Sequence, residues 1–319
     1  MREFDIIKNY FQNLSKKSIG SLNLNDDVFF DKKNKLVISI DTYVDGIHFK
    51  DFKKPDLVIK KILRSSISDL ICKGVRPKYY FLSASGNKKS FSKLNLSLIS
   101  KSLNEEQKKY NIFLSGGDTV FSNKLSFTII SIGFNDNIIY RNKAKVNDDI
   151  YVSGNLGDSY LGLLILKKKI KLSNILNRYF VDQYFRPNVK LELADHLKKF
   201  ANSSIDISDG LITDLDKLIN NQKLSYKINI KSIPISNNLE KVLKFKKFSK
   251  INFISRGDDY QVLFTATKKK IGIIKKISSL LGLRITKIGT IQNKSLKSSI
   301  FDQNNSLITV KSKGYFHEF

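Results

Sequence analysis

The sequence predicts an α+β fold of two domains, an N-terminal α/β sheet domain and a C-terminal α+β domain. At 319 residues the chain is longer than one ordinary hydrophobic core accommodates. Strand-like and helix-like segments alternate, without a fixed repeat and without a long Pro- or Gly-rich linker. Their connections mix hairpins with crossovers, which favours two α+β units over one doubly wound sheet. We place the boundary within 140–148 and assign residues 1–143 and 144–319 to the two domains.

The N-terminal half is predicted to contain four strands and two helices. The strands lie at 36–44, 78–85, 112–114 and 125–134, and the helices at 55–74 and 91–110. The last strand is rich in β-branched and aromatic residues. Pro55 begins the first helix and Gly74 ends it, with apolar residues at helical spacing between them. Asp69 lies in its last turns, where the helix dipole disfavours negative charge, so it needs a compensating cation or is exposed beside Lys73.

The C-terminal half begins with a predicted strand from Ile150, a turn containing Gly154 and Gly157, and a helix through Lys167. Such a turn can direct backbone N–H groups at an anion. Its spacing is not that of a Rossmann or Walker motif, so a simple tight turn is preferred. Further helices are predicted at 188–200 and, after a cap at 208–210, through residue 220, with strands at 226–230, 260–266 and 285–291.

The composition excludes several classes of protein. The formal charge is +27, but the lysine excess is dispersed, whereas a dedicated nucleic-acid-binding protein concentrates its cations on one face. Cys72 is the only cysteine, which excludes an internal disulfide and a thiolate zinc site and is typical of a small core residue. No stretch approaches the roughly 20 apolar residues that span a bilayer, and no secretory signal is evident. We expect a cytoplasmic enzyme with neither a nucleic-acid nor a membrane partner.

Acidic residues recur at segment ends, beside glycine or serine and apart from the lysines. The clusters are Asp26-Asp27, Ser39-Ile40-Asp41, Gly116-Gly117-Asp118-Thr119 and Asp206-Ile207-Ser208-Asp209-Gly210. In a chain with 56 Lys and Arg against 29 Asp and Glu, a random acidic residue should have basic neighbours. Mg²⁺ takes carboxylate oxygens and water, usually together with substrate phosphates. The clusters therefore predict an active site that binds Mg²⁺.

In their order along nearly the whole chain, these motifs resemble those of the thiamine-monophosphate kinase family, which belongs to the aminoimidazole ribonucleotide synthetase-like superfamily. The matching segments are Asp26-Asp27, Ser39 to Asp41, Val44 to Phe49, Ser68-Asp69-Leu70 with Gly74, Gly116 to Thr119, Ser153-Gly154 to Gly162-Leu163, Arg186-Pro187, Asp206 to Leu211 with Asp214-Leu215, Gly257 to Tyr260, and Lys313-Gly314-Tyr315. The resemblance implies ATP-dependent phosphorylation of thiamine monophosphate to the diphosphate. It also implies a homodimer whose N-terminal sheets join into a barrel, with ATP held between the domains.

The resemblance also implies roles for individual residues. The expected Mg²⁺ ligands are Asp27, Asp41, Asp69, Asp118, Asp206 and Asp209, with Ser39 and Ile40 beside the metals. The expected ATP contacts are Tyr110, Gly117, Asp118, Arg141 and Ser208, and the expected substrate contacts are His48, Asp258 and Tyr315. Among these residues, the expected catalytic set is Asp41, Asp118 and Asp209.

The chain departs from the family pattern in three places. Asn25 stands where glycine usually precedes the paired aspartates, and Asn tolerates left-handed backbone better than most residues. Asp258 stands where the family usually has Glu, and its shorter side chain reaches less far. Val120 and Phe121 stand where polar or basic residues are more common.

Other interpretations stay open on the residues alone. Without the resemblance, His48 is more typical of a half-buried histidine, Arg141 is as typical of a surface residue as of a phosphate contact, and the Tyr315 ring packs on the domain. Alternative functions are another ATP-using synthetase of the superfamily, similar to aminoimidazole ribonucleotide synthetase, a basic nucleic-acid-binding protein, or an inactive structural relative. The superfamily members with a reactive cysteine near either terminus are disfavoured.

Overall fold

The computed structural model describes residues 3–302, 304, 306–310 and 314–315. Its helices are α1 (Glu3–Ile6), α2 (Pro55–Cys72), α3 (Lys93–Tyr110), α4 (Asp158–Leu166), α5 (Asn174–Phe185), α6 (Leu191–Leu197), α7 (Leu211–Leu218), α8 (Asn237–Lys246), α9 (Ile251–Ile254) and α10 (Ile271–Leu280). Its strands are β1 (Phe29–Asp31), β2 (Leu36–Val44), β3 (Pro77–Gly86), β4 (Phe113–Phe121), β5 (Ser126–Phe134), β6 (Asp149–Ser153), β7 (Ser203–Asp206), β8 (Leu224–Asn229), β9 (Val262–Ala266), β10 (Ile285–Asn293) and β11 (Ser299–Phe301).

The N-terminal sheet has five strands in the order β1-β2-β5-β3-β4. Neighbouring strands are antiparallel except β3 and β4, which are parallel and joined by the crossover helix α3. Helix α2 covers one face of β2 and β5, and burial alternates along β5 because only that face is packed. Strand β4 lies at the edge, and all nine of its residues are exposed. The described strands form no closed barrel within one chain.

The C-terminal sheet has six strands in the order β11-β8-β10-β6-β9-β7. All pairs are antiparallel except β11 with β8. Every residue of β6, β7 and β9 is buried, as expected for strands that are packed on both faces. Strand β7 lies at one edge and contacts α2 of the N-terminal half. This contact carries the end of β7 to the last turns of α2.

The largest hydrophobic core contains side chains from both halves of the chain. It includes Ile62 of α2, Tyr80 of β3, Tyr184 of α5, Leu193 of α6 and Phe264 of β9, each at most 1% exposed. Helix α2 is therefore an interior helix, and fourteen of its eighteen residues are buried. Residues on α2 are held against loops from both sheets, which positions the site described below.

Most predicted elements of the N-terminal half are confirmed to within two residues at each end. The strand predicted at 112–114 is wrong in length, because β4 continues through the Gly-Gly-Asp-Thr motif to Phe121. Asn25 has φ −120°, so this turn does not use the left-handed conformation that glycine favours. The helix predicted at 188–200 is shorter, and α5, α8 and β7 were not predicted.

The connection between β5 and β6 contains the predicted boundary at 143/144, and the division into two domains stays a prediction. No helix within the described ranges combines the length and apolar character needed to cross a bilayer.

A buried ion pair joins the two helices of the N-terminal half. The guanidinium of Arg64 on α2 donates from Nε and Nη2 to the two carboxylate oxygens of Glu106 on α3, at 2.7 and 2.8 Å. Both side chains are less than 10% exposed. The neighbouring pair between Lys60 and Glu105 lies at the surface, where water solvates the carboxylate.

Removal of one partner from this buried pair should be costly. We expect Glu106→Ala to lower the free energy of unfolding by about 3 to 5 kcal/mol, because Arg64 keeps a buried charge without its counter-ion. Glu105→Ala on the next residue is the matched control and should leave the denaturation midpoint almost unchanged, because its pair is solvated. Urea titrations followed by circular dichroism would measure both. Equal shifts of the two midpoints would contradict the expectation.

Candidate active site

Three aspartates from both halves of the chain meet where α2 contacts β7. Asp41 comes from β2, Asp69 from the last turns of α2 and Asp206 from the end of β7. The carboxyl groups of Asp41 and Asp69 are hydrogen-bond partners, which requires a proton on one of them. The hydroxyl of Ser68 donates to Oδ2 of Asp206. The structure thus brings these three predicted metal ligands together.

The surroundings of this aspartate cluster raise all three pKa values. Burial raises the pKa of Asp41, against hydrogen bonds with Ser66, Tyr43 and Asp69. Burial, followed by the charges of Asp41 and Asp206, raises the pKa of Asp69 well above its usual value, and only the Lys73 charge opposes them. Burial also raises the pKa of Asp206 to about 7. The charged forms of these three carboxyl groups are therefore disfavoured chiefly by burial, and for Asp69 and Asp206 also by neighbouring carboxylates.

The residues before Asp41 lie on opposite faces of the N-terminal sheet. Ser39 is buried on the helix face and donates to the carbonyl oxygen of Ser66 at 3.3 Å, so it lies beside the aspartate cluster. Ile40 points away from the cluster and is 64% exposed. Only the backbone of Ile40 can approach an ion held by Asp41, because successive side chains alternate between the two faces.

The donor set fits Mg²⁺. It consists of carboxylate oxygens, and a divalent cation between them would favour their charged forms, which burial and, for Asp69 and Asp206, neighbouring carboxylates disfavour. Among the described residues, no three Asp, Glu, His or Cys side chains already surround one point as a metal cage. Mg²⁺ does not require such a cage, because it usually retains waters and shares substrate phosphates.

The paired aspartates Asp26 and Asp27 are instead neutralised by protein side chains. The buried ammonium of Lys73 lies 2.6 Å from Oδ1 of Asp26 and 2.8 Å from Oδ2 of Asp27. The guanidinium of Arg141 pairs with both oxygens of Asp27, with Nε donating at 3.0 Å. The predicted metal ligand Asp27 and the predicted nucleotide contact Arg141 are therefore partners of each other.

Two loops of the C-terminal half hold the next group of predicted residues together. The N–H of Asp258 donates to the carbonyl oxygen of Ser208 at 2.8 Å, and the N–H of Tyr315 donates to that of Asp209 at 3.0 Å. Gly257 has φ +76°, and a Cβ there would lie 2.1 Å from the Ser208 carbonyl oxygen, so only glycine permits this approach. The predicted residues at 208, 209, 258 and 315 thus share one region. The charge of Asp209 is compensated by Lys217 of α7.

A buried lysine connects Asp258 to the N-terminal half. The Nζ of Lys61 on α2 lies 2.6 Å from Oδ1 of Asp258 and 4.1 Å from the centre of the Tyr184 ring. The hydroxyl of Tyr184 donates to the carbonyl oxygen of His48 at 3.3 Å. The Nδ1 of His48 accepts from the N–H of Val44, which fixes the ring orientation. His48 and Asp258 therefore lie on either side of Tyr184.

The Gly-Gly-Asp-Thr motif is not brought to the aspartate cluster within one chain. Asp118 on β4 pairs with Ser83 of β3, and this row continues across the sheet to Thr42, the residue after Asp41. Asp118 and Asp41 therefore face opposite sides of the sheet, three strands or about 14 Å apart along the rows. Gly117 has a structural reason to be glycine, because a Cβ there would lie 1.9 Å from the Leu82 carbonyl oxygen.

Tyr110, the remaining predicted nucleotide contact, lies at the end of α3. Its side chain is 3% exposed within the main core, and its ring centre is 5.7 Å from Cζ of Arg64. Burial raises its pKa. In one chain the ring is thus a packing residue beside the buried ion pair.

Two lysines that pair with predicted site residues were not predicted from the sequence, and they are Lys61 and Lys217. The available signal was that Lys61 interrupts an apolar run of the helix predicted at 55–74, and that Lys217 lies three residues after Asp214. The cation expected near Asp69 is Lys73, whose charge opposes the rise in the pKa of Asp69 although its ammonium is paired with Asp26 and Asp27. Asp69 is half-buried and Lys73 is buried, so the alternative of an exposed Asp69 beside Lys73 is wrong.

Residues 25–134 match the family model described as AIR synthase related protein, N-terminal domain. Over 99% of its length the chain is 34% identical to the thiamine-monophosphate kinase of Buchnera aphidicola subsp. Acyrthosiphon pisum (strain APS), and the match covers 98% of that relative. The chain belongs to the thiamine-monophosphate kinase family. The thiamine-monophosphate kinase of Escherichia coli (strain K12) is 30% identical over 99% of this chain and 98% of its own length.

Solved structures agree with this assignment to the thiamine-monophosphate kinase family. The structure of AaThiL complexed with AMPPCP and TMP has a TM-score of 0.85 at 25% identity, over 99% of this chain and 97% of that chain. The crystal structure of thiamine monophosphate kinase from Aquifex aeolicus has a TM-score of 0.78 at 24% identity, over 97% and 99% of the two chains, and supports the fold.

The turn at 154–157 precedes α4 and borders a cavity of about 100 Å³ that Asp158 and Asp258 also line. The N–H of Gly157 donates to both carboxylate oxygens of Asp259, at 2.9 and 3.0 Å. An internal carboxylate therefore occupies the N-terminus of α4. This contact supports the interpretation of residues 154–157 as a tight turn and not as an anion-binding site.

Stability should depend on pH through Asp158. Burial raises its pKa from 3.8 to about 6, against hydrogen bonds from Ser236 and Tyr179. The folded protein thus holds this proton more tightly than the unfolded chain, and the stability it contributes is lost as pH rises through that range. Relative to wild type, Asp158→Asn should gain free energy of unfolding between about pH 4 and 6, by at most about 3 kcal/mol. Denaturation across pH would measure this gain, and a constant difference would contradict it.

Proposed function

We propose that the chain transfers the terminal phosphoryl group of ATP to the phosphate of thiamine monophosphate, in line, with Mg²⁺ held by aspartates, in the cytoplasm. Membership of the thiamine-monophosphate kinase family supports the reaction. The observation that carries the metal-dependent mechanism is the meeting of Asp41, Asp69 and Asp206 between the two halves of the chain. An uncompensated group of carboxylates is suited to bind a divalent ion and, through it, phosphates.

The reaction needs little from a protein base. The second pKa of a phosphate monoester is about 6, so the substrate phosphate is largely dianionic at neutral pH and is itself the nucleophile. The obstacle is repulsion between two polyanions, and bound Mg²⁺ supplies charge neutralisation and alignment. The chain has only three His residues, in keeping with a reaction that requires no general base. The proposed role of Asp41, Asp69 and Asp206 is to hold the ions between the two halves of the chain.

The substrate is proposed to lie against the C-terminal loops. Asp258 and Tyr315 flank Asp209, while His48 approaches the same region from the N-terminal half. Oδ1 of Asp258 is already engaged by Lys61 and by the hydroxyl of Tyr260 at 3.0 Å, which leaves Oδ2 directed to other partners. The shorter Asp258 is therefore held in place by contacts with Lys61 and Tyr260.

The nucleotide is proposed to contact Tyr110, Gly117, Arg141 and Ser208, as the family pattern implies. Arg141 suits this role because a guanidinium pairs with two phosphate oxygens at once. It is paired with Asp27, which would fix its orientation before a phosphate arrives. The proposed metal ligands outside the aspartate cluster are Asp118 and Asp209. The family pattern also implies Asp27, but both of its carboxylate oxygens are paired with Lys73 or Arg141.

A homodimer is proposed from the edge of the N-terminal sheet. Strand β4 has Phe113, Leu114, Val120 and Phe121 exposed, and β3 is its only neighbour among the described strands. An unpaired, apolar edge strand is a surface for association. Joining two such sheets would form the barrel and would allow Asp118 to act in the site of the partner subunit. The separation of Asp118 from Asp41 within one chain favours this arrangement.

The proposed reaction predicts a strict choice of substrate. With ATP and Mg²⁺, the purified protein should consume ATP with thiamine monophosphate and form thiamine diphosphate. It should not turn over thiamine, which has no phosphate to accept the transferred group, or the substrate of aminoimidazole ribonucleotide synthetase, which has a phosphate but no thiamine moiety. Coupled ADP release and chromatography of the product would measure the reaction. If the protein turned over one of the other two compounds and not thiamine monophosphate, the proposal would be refuted.

Two aspartates on opposite faces of the sheet should both be needed for activity. Asp41→Asn and Asp118→Asn are each expected to lower turnover at saturating Mg²⁺ at least about 100-fold, with unchanged circular dichroism. If Asp118 acts across the dimer, co-expression of the two variants should restore about a quarter of wild-type activity, because half of the dimers contain one intact site.

The matched control is Asp56→Asn, which removes a carboxylate from the first turn of the same helix that carries Asp69. It should retain full turnover. Wild-type turnover by either site variant would count against the metal-binding assignment. Mixed dimers without restored activity would show that Asp118 does not act in the partner subunit.

A further inference from the structure

We infer that the ammonium of Lys73 is a permanent cation between Asp26 and Asp27, so that this corner of the site is neutralised without a divalent ion. The inference rests on the proposed function only in that the neighbouring aspartate cluster is taken to bind Mg²⁺. In this arrangement Asp26 and Asp27 are neutralised by a lysine, whereas Asp41, Asp69 and Asp206 require a metal ion.

All three donors of the Lys73 ammonium are used. Besides the carboxylate oxygens of Asp26 and Asp27 at 2.6 and 2.8 Å, Nζ donates to the carbonyl oxygen of Ser204 at 2.9 Å. The lysine side chain is 0% exposed. An ammonium has three N–H donors, so none is left for water. Lys73 therefore occupies a closed site with three oxygen atoms around its charge.

All four oxygens of the two carboxylates also have partners. In Asp26, Oδ1 accepts from Lys73 and from the N–H of Asp27 at 2.8 Å, and Oδ2 accepts from the N–H of Arg141 at 2.9 Å. In Asp27, Oδ1 is paired with Nη2 of Arg141, and Oδ2 is paired with Lys73 and with Nε of Arg141. A metal ion at Asp27 would have to displace one of these cations. This arrangement disagrees with Asp27 as a simple metal ligand.

The aspartate cluster has the opposite arrangement. The carboxyl group of Asp69 is a hydrogen-bond partner of Asp41, and the charges of Asp41 and Asp206 act on it together with that of Lys73. A single lysine that is already paired with two carboxylates cannot neutralise three more. The number of divalent ions is therefore expected to be smaller than the number of acidic residues suggests.

Replacement of the lysine should convert this corner into a cation site. In Lys73→Met the side chain has similar length and no charge, so Asp26 and Asp27 are left buried without their ammonium. We expect the full-length variant to bind one more Mn²⁺ per chain than wild type in the absence of nucleotide, counted by electron paramagnetic resonance of free Mn²⁺. Mn²⁺ should also raise its Tm by more than that of wild type.

The matched control is Lys60→Met on the same helix, where the lysine pairs with Glu105 at the surface. It should bind the wild-type number of Mn²⁺ ions. Lys73→Gln, which retains a donor for the Ser204 carbonyl oxygen, is the second variant in case Lys73→Met folds poorly. It should also bind one additional ion.

Two outcomes would overturn the inference. One is a folded Lys73 variant with the wild-type number of bound ions. The other is that both variants stay unfolded in millimolar Mn²⁺, because a divalent ion then does not replace the ammonium. Ion counting uses neither ATP nor thiamine monophosphate, so an additional ion in the variant would stand even if wild type failed the kinase assay.

Discussion

Negative charge that is removed from water must be compensated, and this requirement governs the region between the two sheets. Long basic side chains neutralise the outer acidic residues from within the protein; these are Lys61, Lys73, Arg141 and Lys217. The innermost carboxyl groups, Asp41 and Asp69, have no such ion-pair partner of their own among the described residues, and burial raises their pKa values. The acidic residues at the margin of the region are thus neutralised by protein side chains, whereas those at its centre are not. A reaction between polyanions needs cations at the centre that can exchange with substrate.

Helix α2 meets this requirement by carrying polar residues inside the core. Ser65 lies four residues after Lys61, and Ser68 and Asp69 lie three and four residues after Ser65, so these side chains share one side of the helix. That face is turned to the C-terminal loops, while Ile62 and other apolar residues pack elsewhere in the core. The helix therefore stabilises the contact between the sheets and also places Lys61 and Asp69 at that contact. A wholly apolar helix of the same length would stabilise the contact but would bring no charged side chain to it.

Local sequence patterns predicted the helices and strands well. They could not predict which side chains distant in sequence contact one another. The bounds of α2 and β2 follow from proline, glycine and periodicity, and the acidic motifs indicated the meeting of Asp41 and Asp69 with an aspartate of the other half. The face of Asp118 could not be predicted, because it depends on how β4 registers with β3, and a shift of one residue would reverse it. Nor could the partner of Lys61, which is 197 residues away.

Strand β4 also has a consequence for how the chain reaches its native state. Because β4 is parallel to β3, it can join the sheet only after the whole crossover through α3 has been synthesised. Pairing of this kind is slower than closing a hairpin, since a longer segment must be ordered first. Until β4 pairs with it, β3 is an edge strand with unpaired backbone groups. After pairing, β4 is the edge strand. Newly made chains are therefore most prone to aggregate with one another while this pairing is incomplete.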